Sequence, residues 1–228
     1  MTTIVLLARN FVWQNRWLLL AFICWPFLLA AFVWSPHHAG DQAEIFEILQ
    51  QVVFYGVAVV AFLASSAIYN EKRSRRIIGV LSKAVSRAQY LLGLLIGCGY
   101  FAIAYFLAIG ASVMWLLGYS SARLESCVVL LLHGCLASLW IATLSLLFST
   151  FLYPFIAAAV AGAAAFAPLA LSRPNVALAP AAHLMESAGS LAATLAWQPV
   201  VSAVIESTAF LSMAIRIFAS RDVTVSIE

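Results

Sequence analysis

Apolar residues run through this chain in six long blocks, at 17–35, 51–69, 90–117, 128–148, 151–171 and 199–218. Each is near the ~20 residues that carry a helix across ~30 Å of hydrocarbon, so the pattern predicts six transmembrane helices. The 90–117 block is long enough to tilt or to project beyond the lipid. Ahead of the first block, 3–16 reads differently. Ile4, Leu7, Ala8, Phe11 and Val12 fall on one side of a helix, and Arg9, Asn10 and Arg16 on the other. That pattern predicts a helix lying in the membrane interface; the plainer alternative is the start of one long first helix. Pro26 is expected to kink its helix, whereas Pro154 and Pro199 suit a helix's first turn.

One polar island interrupts the pattern, at 71–87, reading EKRSRRIIGVLSKAVSR. It holds six of the chain's twelve Lys and Arg. Within it Ile77, Ile78, Leu81 and Val85 recur at helical spacing, with Arg73, Arg76, Lys83 and Arg87 around them. This predicts a short amphipathic helix outside the bilayer, with an apolar edge suited to a partner's groove. The blander reading is a loop that fixes topology and touches anionic headgroups. With six spans and both termini inside, the inner segments carry Arg9, Arg16, the island's six, Arg216 and Arg221, against Arg123 and Arg173 outside. Such a bias assigns the island and both ends to the cytoplasmic side. The first outer loop, 35–50, has Asp41, Glu44 and Glu47 and no Lys or Arg.

The outer segment 172–198 is Ala-rich, and its 181–197 part is expected to form short helices dipping into the outer face. Gly93-x-x-x-Gly97 permits close helix approach, within the protein or between copies.

Composition agrees. The 228 residues are 64% hydrophobic and 9% charged, with mean hydropathy +1.02, whereas soluble domains carry about 25% charged residues. The expectation is a single all-α polytopic membrane domain over 1–228, comprising six spans, the interfacial helix and the island helix. The 17–35 block is too long for a signal peptide's core and no cleavage site follows it, so it reads as a retained span. The net charge of +3 is small and localised, which argues against nucleic acid. Cys24, Cys98, Cys127 and Cys135 have no metal-ligand spacing and read as small buried hydrophobes.

Little else carries chemistry. No GxxxxGK[ST] or HExxH motif is present, so the chain is expected to hold no cofactor or metal and to have no catalytic site. Ser112 and His133 are the one pair a membrane hydrolase reading would use, but nothing in the sequence orients His133. His37, His38 and His183 read as solvated loop residues rather than metal or proton sites. Glu206 is different. It falls seven residues into the last block, on the order of 10 Å deep. An acid there costs about 2.5–3.5 kcal/mol, so it needs a partner, such as His133 or a hydroxyl, or a wet pathway.

The island's finer spelling, Glu71-Lys72, then Val80-Leu81-Ser82, Ser86-Arg87 and Gly93, resembles the loop between spans two and three in permease subunits of ABC-2 family exporters. Arg75 and Arg76 stand where that family has Gly-Thr, Ala84 where it has Pro, and Leu94 where it has Lys. The tail from Arg216-Ile217-Phe218 to Arg221-Asp222 is similar to the family's closing segment.

The resemblance implies a permease subunit of a bacterial-type inner membrane transporter. Its coupling helix would dock on a separate ATPase subunit that binds ATP and Mg. Contacts would come from Glu71, Arg73, Arg76, Ile77, Ile78, Leu81, Ser86 and Arg87. It also implies a second permease copy or paralogue, with a pathway lined by Phe27, Phe32, Phe54, Tyr55 and Phe155, Glu206 being added on grounds of charge. The cargo would be hydrophobic, amphipathic or lipid-linked. A non-transporting scaffold or regulatory subunit is the rival reading. A channel or proton-coupled carrier is less favoured, because intramembrane charge is sparse and no inverted repeat is visible.

Overall fold

Helix α1 (Thr2–Gln14) stops where Asn15 turns its side chain back on the helix, its amide donating to the Phe11 carbonyl at 2.9 Å. Asparagine competes with the helical ladder in this way. The chain restarts at once as α2 (Arg16–Val33), bent by 70° from α1. Pro26 lies inside α2, and the 70° bend between α1 and α2 lies at Asn15. The computed structural model describes residues 2–33, 42–73, 85–117, 121–170, 180–189 and 197–220. Among these, all regular structure is helical: α1 and α2 are followed by α3 (Gln42–Arg73), α4 (Arg87–Leu117), α5 (Ser121–Ser149), α6 (Pro154–Ala170), α7 (Pro180–Gly189) and α8 (Trp197–Ser220).

Four apolar helical stretches are long enough to cross a membrane: Glu47–Asn70, Arg87–Leu116, Leu124–Ser149 and Trp197–Ser220. The bent α1–α2 pair makes a fifth if counted as one span, and the apolar part of α6, Pro154–Phe166, is shorter. The block expected at 151–171 therefore begins later than its hydropathy indicates. The α5 ladder closes at Leu152, whose N–H donates to the Phe148 carbonyl at 2.8 Å. Helix α6 opens on Pro154, where a missing N–H leaves no bond unmade, and the Tyr153 carbonyl accepts from Ala157.

Helix α5 is apolar all round because it is surrounded, by α3, α4, α6, α7 and α8. Helix α4 is the other pillar. Its adjacent Tyr105 and Phe106 are both fully buried and seat on glycines of its neighbours, Gly56 of α3 and Gly134 of α5. The Tyr105 hydroxyl donates to the Val52 carbonyl at 2.8 Å. On its outer side α4 receives α1. A side chain at Gly93 would meet the Leu7 Cβ at 2.7 Å, and one at Gly97 would meet the Phe11 ring at 2.5 Å. The Gly93/Gly97 pair thus serves packing within the chain. The expected sidedness of α1 holds as well, with Ala8 and Phe11 buried and Arg9 and Asn10 exposed.

The short helix α7 lies against α3, α5 and α8, with Ala181, Ala182, Leu184, Met185 and Ala188 fully buried. His183 is therefore not a solvated loop residue. It is half-buried in α7, and its Nε2 has no hydrogen-bond partner among the described residues. Helix α8 is the least covered of the long helices: 17% of its apolar stretch is buried, against 61–67% in the other three.

Candidate functional site

Most of the island, including Arg76, Ile77, Ile78 and Leu81, lies outside the described residues, as do His37 and His38. Glu71 and Arg73 belong to the last turn of α3. The island's exit is better defined. Ser86 and Gln89 form a capping box at the start of α4: the Gln89 N–H donates to Ser86 Oγ at 3.2 Å, and the Ser86 N–H donates to Gln89 Oε1 at 3.1 Å. Arg87 then reaches across to α8, its Nη1 donating to the carbonyls of Phe218 at 2.8 Å and Ala219 at 2.7 Å. A cation on the last carbonyls of a helix also complements the negative end of its dipole. Tyr90 stacks on Phe218, ring centroids 6.0 Å apart, and Val85 packs on the core. Ser86 and Arg87 thus hold the chain's own elements, and the island's exit is fixed to the end of the last helix.

A lateral cleft is the second feature. Helices α2 and α3 both pack on α4 but hardly on one another. The gap between them holds about 320 Å³, walled by Leu18, Phe22 and Trp25 of α2 and by Tyr55 and Val59 of α3, with Tyr105 as its floor. Phe22 lies flat on Tyr105, with 3.9 Å between centroids and 9° between planes. Of the residues expected to line a pathway, Tyr55 alone borders this cleft. Phe27 and Phe32 are on the exposed surface of α2. Phe54 turns to α6 and meets Phe166 edge-on at 5.4 Å. Phe155 is 77% exposed and touches Phe62 of α3. Tyr55, Phe62 and Tyr69, seven residues apart, make an exposed aromatic stripe along α3, and Phe155 extends it onto α6. The cleft's own aromatics, Phe22 and Trp25, were not singled out in the sequence, where nothing separates them from the other apolar residues of their block.

Glu206 has a partner other than the two expected. The Trp140 indole N–H donates to Glu206 Oε2 at 2.8 Å, and the Trp140 ring meets Phe210 edge-on. His133 shares a hydrogen bond with Ser187 of α7 instead, at 2.9 Å from its Nδ1, while its Nε2 is buried without a partner among the described residues. Ser112 donates to the Ala108 carbonyl of its own helix, so Ser112 and His133 form no pair. Glu206–Trp140 holds α8 to α5, and His133–Ser187 holds α7 to α5. No model of a known protein family matches this sequence, and no curated protein matches it significantly.

Proposed function

We propose that this chain is the membrane-spanning permease subunit of an ATP-driven exporter, with six membrane crossings and both termini in the cytoplasm. In this reading α1 is the interfacial helix, α2, α3, α4, α5, α6 and α8 are the spans, and the island between α3 and α4 is the coupling helix on which a separate ATPase subunit acts. The observation that carries the proposal is the island: a basic, helically spaced amphipathic segment of 17 residues that resembles the loop of ABC-2 permeases apart from four departures, in a chain with no phosphate loop of its own. The hold of Arg87 on α8 supports it, since displacement of the island's exit would be passed to the last span. The aromatic cleft between α2 and α3 supports a greasy cargo, and the stripe along Tyr55, Phe62 and Phe155 supplies the surface for a second permease copy.

Co-expression with the candidate ATPase and purification in mild detergent tests this. The expected result is an ATP-binding chain at one-to-one stoichiometry. Glu71→Lys or Leu81→Asp is expected to release that subunit or to lower cargo-stimulated hydrolysis at least tenfold. Normal co-purification and normal stimulated hydrolysis in both variants overturn the coupling role. A basic loop that recruits a partner with no nucleotide turnover favours the scaffold reading.

A further inference from the structure

The outer face of α1 sets exposed indole and leucine side chains beside basic ones. Its inner face, Ala8 and Phe11, is pressed on α4. Opposite them Leu6 and Trp13 are 60% and 67% exposed, and with Arg9 and Asn10 they border a notch of about 290 Å³. Around the bend, Arg16 stacks on two indoles, its guanidinium carbon 4.9 Å from the Trp13 ring centre and 5.5 Å from that of Trp17. Neither Arg9 nor Arg16 has a hydrogen-bond or carboxylate partner among the described residues, and α1 and α2 contain no Asp or Glu. Exposed indoles beside unpaired guanidinium groups suit the boundary between headgroups and acyl chains. Stacking on the indoles leaves the edge of a guanidinium free, and that edge matches two phosphate oxygens.

We propose that the bend between α1 and α2 is a binding site for the headgroup of an anionic phospholipid. Arg9 and Arg16 take the phosphate, Asn10 offers an amide to the glycerol side, and Leu6, Trp13 and Trp17 lie against the upper acyl chain. A zwitterionic headgroup brings its own ammonium to two cations on helices that contain no acid, so it binds less well. A free phosphate leaves the apolar residues in water. The site rests on the membrane reading of the chain and not on its ATPase partner.

Native mass spectrometry of the purified protein with phosphatidylglycerol or phosphatidylcholine reads it directly. Wild type is expected to retain phosphatidylglycerol in preference, and Arg9→Gln and Arg16→Gln each to weaken that retention about fivefold. Arg16→Lys keeps the charge and loses the stacked plane, and falls between. Arg216→Gln removes an exposed cation from α8 and is expected to change nothing. Size-exclusion profiles matching wild type establish that each variant is folded. Undiminished retention in both glutamine variants, an equal loss in Arg216→Gln, or displacement by inorganic phosphate at equal concentration each overturns the proposal. Failure to recover an ATPase, by contrast, leaves it standing and removes only the exporter reading.

Discussion

Glu206 shows what one half-buried contact settles. A carboxylate along an apolar helix is tolerated when a donor meets it, and the Trp140 indole does so from α5. Tryptophan has one donor and no acceptor, so the pairing has a single direction. Glu206→Gln keeps an acceptor oxygen for the indole and is expected to preserve stability and assembly. Trp140→Phe removes the donor and leaves the acid unanswered, at a cost of about 0.6–1.7 kcal/mol for a hydrogen bond in such surroundings. Unfolding midpoints in detergent check both, and a silent Trp140→Phe would remove the pair from the account. In the sequence the acid was conspicuous as an anomaly, but its partner was not. Trp140 reads like any other apolar residue of its block, and 66 positions separate the two. The acid's need of a partner was legible from its place in an apolar block; the donor's identity needed the α5–α8 contact.

At the scale of elements, the spacing of small residues proved the better guide. Gly93 and Gly97 declare themselves by their interval, and they seat α1. Gly56 and Gly134 are isolated in sequence, yet each admits an aromatic ring of α4. No interval could reveal them, because the complementary bulge belongs to another helix. Gly93→Leu is expected to dislodge α1, since the nearest atom is the Leu7 Cβ, which the α1 backbone holds in place; overpacking of this kind costs roughly 1–3 kcal/mol. Ala8 is fully buried on the face of α1 that meets α4. In a Cys24→Ser background, Ala8→Cys should resist a maleimide in the native helix and react once Gly93→Leu is added. Continued protection would show that α1 is held by more than its glycine seat.

Across the whole molecule, distant stretches of the chain meet at Arg87. Two of its hydrogen bonds reach residues 131 and 132 positions away, so it joins the start of α4 to the close of α8. Arg87→Ala is expected to lower stability by about 1.5–3 kcal/mol, the range for hydrogen bonds to a charged group. Amide exchange should quicken in the last turn of α8 before anywhere else; uniform exchange across α8 would assign the hold to Tyr90 and Phe218 instead. From the sequence Arg87 read as a cation of the island offered to a partner ATPase subunit, because charge patterning reports side of membrane and not which carbonyls lie within reach. The long apolar helices were legible from hydropathy. The bend at Asn15 and the late start of α6 were not, since both depend on where backbone hydrogen bonds end.

The berth of α1 on α4 also bears on how the protein is made. Leu7 leaves the ribosome 86 residues ahead of Gly93, a lag of roughly 4–17 s at the usual 5–20 residues per second of synthesis. Throughout that interval the nascent first helix has no glycine groove to occupy. Its basic, indole-bearing face can already hold it against the bilayer surface, so that α1 waits there for the groove of α4.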